Sequence, residues 1–211
     1  MSGPSRRGGL LAALLAAACA PHEPPLLALG GHACDAAPVF DAALPVPFDT
    51  RLGVDAGLGA QSRCLLPPRA PAPTTYAAFV LPHGMAPSTV TVASLAAGTL
   101  VSPRATFYDA AGTAVRVLAP EDFRADIAGL RAGARLRGTE RWVVVEADRA
   151  MLGESVVLRL GDAGLDRVQV AAAGFIYVPP PMLPDTVREQ EATYALNGTI
   201  RVTMMPVPTV P

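Results

Sequence analysis

Short segments in which apolar and polar residues alternate recur along this chain, and proline or glycine ends each one before it is long enough for a helix. The clearest is Ser88-Thr-Val-Thr-Val-Ala-Ser94. There Thr89 and Thr91 alternate with Val90 and Val92, so one face of an extended chain can be buried while the other stays wet. Thr74 to Leu81 precedes it across a Pro82-His83-Gly84 turn. Ala105 to Asp109 and Ala114 to Leu118 flank Ala110-Ala-Gly112, which reads as a hairpin with glycine at the tight position. Trp142 to Glu146 and Ser155 to Leu160 predict interior strands. Arg167 to Val170, Gly174 to Val178 and Gly198 to Met204 predict further ones, with Tyr194 to Leu196 able to pair with the last across Asn197-Gly198. Repeated short strands with turn signals at this spacing predict an all-β fold, an antiparallel, immunoglobulin-like β-sandwich. Val39 to Gln61 suits edge strands and turns. Glu121 to Gly138 suits a short helix or irregular loops, because Gly129, Gly133 and Gly138 disfavour one long helix.

The N-terminus carries a different signal. Arg6 and Arg7 precede the apolar run Leu10 to Ala18, and nine residues are too few to span a bilayer, so residues 1–18 match a secretory signal peptide. Ala17 and Ala18 directly before Cys19 resemble a lipobox, which implies lipidation of Cys19 and a membrane contact through that anchor. By resemblance to Gram-negative lipoproteins, Ala20 in the second mature position implies sorting to the outer membrane, facing the periplasm. Residues 19–37, rich in proline and glycine, are expected to form a lipidated tether; 38–206 the β-sandwich domain; and 207–211 a tail.

A mature chain of about 190 residues is long enough for one domain with a sizeable core. Seventeen basic residues, all arginine, nearly balance eighteen acids at a net charge of -1, which gives no electrostatic case for nucleic acid. Three cysteines make an odd count for an exported chain. Lipidation of Cys19 leaves Cys34 and Cys64, which could close a loop of about 30 residues worth roughly 3 to 4 kcal/mol. Two free thiols or a pair of metal ligands are the alternatives, although no CxxC motif is present.

Several ordered segments carry a family resemblance: Tyr76 to Pro82, Ser88 to Ser94, Pro103 to Asp109, Glu140 to Glu146, Leu183 to Arg188 and Gly198 to Val202. Their order resembles the maltose operon periplasmic protein family, MalM. The resemblance implies a non-catalytic envelope protein with an accessory role in maltose and maltodextrin transport. It also implies partners such as an envelope maltodextrin transporter, a porin or maltodextrin itself. Cys19 and the Cys34/Cys64 pair depart from that family's pattern, as does the lack of a long extension after the last strand.

Residue patterns on their own predict no enzyme, no cofactor and no metal site. His83 lies in a turn, where solvent exposure is the ordinary state, and Ser155 lacks the Gly-x-Ser-x-Gly elbow. Glu146 and Asp148 fall on one side of an extended strand, a spacing that permits the carboxylate pair of glycoside hydrolysis. The simpler reading is a strand running out into a solvated turn. Phosphate-binding glycine loops, HExxH and EF-hand motifs are absent. A periplasmic glycan-binding module is the competing function, since sugar binding needs only aromatic faces and planar polar groups. Trp142 is its candidate ligand-binding residue, with core packing as the alternative; Tyr76, Tyr108, Tyr177 and Tyr194 are also available.

Overall fold

The computed structural model describes residues 33–48, 53–68, 70, 72–84, 87–97, 99–126, 128–159 and 189–207. Fourteen strands are described: β1 (Leu44–Pro45), β2 (Val54–Leu58), β3 (Cys64–Leu65), β4 (Thr74–Val80), β5 (Ser88–Leu95), β6 (Thr99–Leu100), β7 (Pro103–Asp109), β8 (Ala114–Leu118), β9 (Arg124–Asp126), β10 (Gly129–Arg135), β11 (Glu140–Ala147), β12 (Ser155–Arg159), β13 (Glu189–Tyr194) and β14 (Gly198–Pro206). One sheet has the order β1-β4-β11-β7-β8, with β3 sharing the edge of β4; a second has the order β2-β14-β5-β10-β9. Alternation places Phe79, Phe107, Val143 and Val145 of the first sheet and Val90, Val92, Ile200 and Val202 of the second in one core. This is the expected β-sandwich. Its long pairings are antiparallel, and two short ones, β1 with β4 and β6 with β13, are parallel.

Three local expectations change. Glu121 to Gly138 holds neither a helix of useful length nor irregular loops; after a 3-10 turn at Pro120–Asp122 it forms the β9–β10 hairpin on the edge of the second sheet. Leu130, Ala132 and Ala134 point into the core, while Arg131, Gly133 and Arg135 are exposed, so small residues keep the period of two. β12 is not interior: among the described residues it pairs only with β13, in a small sheet of order β12-β13-β6. Leu158, Ala192 and Tyr194 of this sheet join the main core. Tyr194 does not pair back on the last strand. It pairs in parallel with Leu100, and the chain then changes sheets to enter β14 between β2 and β5. Gly198 marks the crossing, where a Cβ would come within 2.8 Å of Val101 Cγ2. The β7–β8 hairpin forms as expected, with Gly112 at φ +77° and the Asp109 carboxylate accepting from the Ala111 and Thr113 amides. The strands expected over 167–170 and 174–178 lie outside the described residues.

Residues 33–48 form a strap whose Phe40 and Ala43 pack on the outer face of the first sheet and whose Val46 and Phe48 turn into the main core. The Cys34–Cys64 disulfide fixes its start, with an S–S distance of 2.02 Å. Asp35 and Leu65 form a parallel bridge, so the chain is already part of the domain at 33–37, where a tether was expected. Further along, the Val46 amide donates to the Val80 carbonyl at 3.0 Å, and Phe48 bridges to Met204. The signal peptide, Cys19 and residues 20–32 of the tether lie outside the described residues, as does the tail over 208–211.

Candidate functional site

β11 lies between β4 and β7, so its outward side chains form the middle of the first sheet's outer face. Trp142, opposite Tyr108 on β7, lies on that face rather than in the main core. The strap reaches it there: the Phe40 ring stacks on Trp142 at 4.5 Å and 19°, and meets Tyr108 edge-on at 5.4 Å. Beside this cluster Leu65, Tyr76, Ala78 and Val144 form a second small core beneath Phe40 and Ala43. The Tyr76 hydroxyl donates to Asp35 Oδ2 at 2.8 Å and accepts from the Val39 amide at 3.2 Å. Burial pushes the Tyr76 phenol pKa up. Arg63 spans the strap's acids, 3.7 Å from Asp35 and 3.5 Å from Asp41. Trp142 is thus half-buried, with one face of its ring covered by the chain's own phenylalanine.

The carboxylates singled out from the sequence meet at one cation. Arg104 lies opposite Glu146 in the β7–β11 register. It donates to Asp148 Oδ2 from Nε at 3.2 Å and from Nη2 at 2.9 Å, with Glu146 Oε1 3.8 Å from Nε. Burial pushes the Glu146 pKa up, Arg104 opposes the shift and Asp148 adds to it. The Asp148 carboxylate also accepts from the Ala150 amide, capping the turn that follows. A carboxylate bound twice by a guanidinium is a poor general base, so the geometry favours a structural clasp between β7 and β11. His83 is exposed in its turn, and Ser155 opens β12 as a strand-start residue. Among the described residues no group of His, Cys, Asp and Glu could hold a metal ion, and no helix is long and apolar enough to cross a membrane.

Sequence reasoning missed a pattern inversion in β8. Opposite the core residue Phe107 stands Arg116, its guanidinium carbon 4.4 Å from the ring centroid, while Val117 is turned outward opposite Thr106. Arg116 is held inside by Glu140, which is 3% exposed, at 3.1 Å. A register shift in β11 between Glu140 and Trp142 accompanies this inward placement. The visible signal was Arg116 in phase with Ala114 and Leu118, a charge on the inner side of a strand whose other phase is valine. The far edge of β8 has no partner strand among the described residues, and Val115 and Val117 are 38% and 45% exposed.

Comparison with known proteins finds no matching family model, no matching curated protein and no matching solved structure.

Proposed function

We propose that this protein is a non-catalytic envelope lipoprotein, anchored through Cys19 to the outer membrane and facing the periplasm, with an accessory role in maltose and maltodextrin transport. The observation that carries the accessory reading is the edge of β8 that has no partner strand among the described residues, where Val115 and Val117 are exposed while Arg116 points inward. Exposed sheet edges are usually blunted by charge, proline or a bulge, because they invite pairing with another chain. An edge with its apolar side chains outward and its charge inward suits a protein partner. The maltodextrin link rests on the ordered resemblance to the MalM family, and the anchor on the residues before Cys19.

The test places a photoreactive residue at Val117 in cells carrying the full chain. Crosslinking to a maltodextrin transporter or porin, lost in a Val117→Lys variant that remains folded, is the expected result. Absence of any such crosslink, together with saturable calorimetric binding of maltodextrin lost in Trp142→Ala, would replace the accessory reading with a glycan-binding module. Membrane fractionation of wild type against Cys19→Ala tests the anchor separately, and equal soluble behaviour of the two would remove it.

A further inference from the structure

Two crossings between the sheets lie at one end of the sandwich. The chain leaves β4 at Val80 and enters β5 at Ser88; it leaves β10 at Arg135 and enters β11 at Glu140. The ends are held together by the Leu136 amide on the Ser88 carbonyl at 2.8 Å and by the Leu81 amide on the Arg141 carbonyl at 2.8 Å. Between the crossings lies a cleft of about 280 Å3, lined by His83, Gly84, Arg135, Arg137, Gly138 and Glu140 among others.

The charged side chains of the lining favour an anion. Its one acid, Glu140, has a side chain 0% exposed; Oε2 accepts from the Arg137 amide at 2.8 Å, and Oε1 lies 3.1 Å from Arg116 Nη2. Glu140 Oε1 and Arg116 Nη2 meet as charges without a hydrogen bond, and Arg116 Nε makes none either. That carboxylate is balanced by Arg116, so it does not neutralise the arginines at the rim. Arg135 and Arg137 are exposed and have no carboxylate partner among the described residues. Two uncompensated guanidinium groups therefore border a concave site in a chain whose net charge is -1. Burial lowers the Arg116 pKa, Glu140 raises it, and the charge of Arg137 lowers it again, so Arg137 and Arg116 share one field.

The backbone of the lip adds to this. Gly84 at φ +71° and Gly138 at φ +88° have no atom within 4 Å of where a Cβ would stand, so the main chain is open to close approach. The amides of His83, Gly84 and Gly138 make no hydrogen bond among the described residues.

We propose that this cleft binds a phosphate group. Two guanidinium forks, an imidazole and lip amides offer more donors than the two oxygens of a carboxylate accept, whereas a phosphate monoester presents three terminal oxygens. The same monoester chemistry is carried by a small soluble phosphate ester and by a lipid that ends in a phosphate monoester, such as phosphatidic acid.

The test uses the full-length chain and reads His83 ring resonances and calorimetry during titration with inorganic phosphate and glycerol phosphate. Flotation with phosphatidylcholine vesicles containing phosphatidic acid, and with pure phosphatidylcholine vesicles as a control, forms the second arm. Saturable binding is expected in one arm or both, weakened at least tenfold in Arg135→Ala/Arg137→Ala and weakened by added chloride. Arg201→Ala, which breaks a surface pair with Asp55, leaves binding unchanged and controls for loss of surface charge. Binding to vesicles but not to soluble esters makes the lipid headgroup the source. Thermal melting of the double variant checks the fold, which both exposed side chains should leave intact. No binding in either arm, or binding undiminished in the folded double variant, overturns the proposal.

Discussion

Replacing both Cys34 and Cys64 with serine should lower stability by about 3.6 kcal/mol, the loop-closure entropy of a cross-link spanning 30 residues at 25 °C. The loop cannot peel away quietly, because it carries Val46, Ala56 and Leu58, which are core residues, and β2, which pairs with β14. The loss should therefore appear in global unfolding rather than in local fraying. With an m-value of about 2 kcal/mol/M, the urea midpoint drops by about 1.8 M. The m-value itself should rise, since the unfolded chain expands once the cross-link is gone. Trp142 is the only tryptophan and stacks on Phe40 inside the closed loop, so its fluorescence and far-UV circular dichroism should move together. A midpoint shift below about 0.5 M, with m unchanged, would refute the reasoning and show that strap packing restricts the unfolded chain without the bond.

Phe40→Ala should uncover Trp142, shifting its emission to longer wavelength and costing about 2 kcal/mol in urea unfolding. Gly129→Ala should cost more than about 3 kcal/mol or prevent soluble expression, because Gly129 sits at φ +138° and a Cβ there would lie 1.9 Å from the Ser94 carbonyl oxygen; wild-type melting would refute it. Glu146→Gln tests a pH dependence. The folded pKa of Glu146 is raised above its ordinary 4.5, chiefly by burial, so the native state holds its proton longer than the unfolded state. Wild-type stability should fall as pH rises from 4.5 towards that raised value, a slope that the glutamine variant lacks when denaturation is repeated at each pH.

The strands with clean alternation were legible because one phase was threonine and the other valine, as in β5, or because glycine stood where a hairpin needed it, as at Gly112. The β9–β10 hairpin was hidden because two of its three inward residues are the small Ala132 and Ala134, while Gly129 and Gly133 read as breaks. Trp142 could not be assigned a face, since it opens the run Trp142 to Val145 and an unbroken apolar run fits either phase. Its true neighbour, Phe40, comes from the strap, about a hundred residues away in sequence. The Cys34–Cys64 bond was expected from counting cysteines and is present in the structure. The Arg116–Glu140 pair and the Arg104 clasp depend on register between separate strands, which no single segment encodes.

The position of the disulfide also decides how the domain carries tension. A pull on the chain ahead of Cys34 passes through the covalent bond straight to Cys64 and β3, and then onward to β4. The covalent path bypasses the backbone between Cys34 and Cys64, so β1 and β2 are loaded only through their pairing with β4 and β14. Stretched from its two ends, the oxidised protein should extend about 100 Å less than the reduced one, the contour length of the 30 residues short-circuited by the bond.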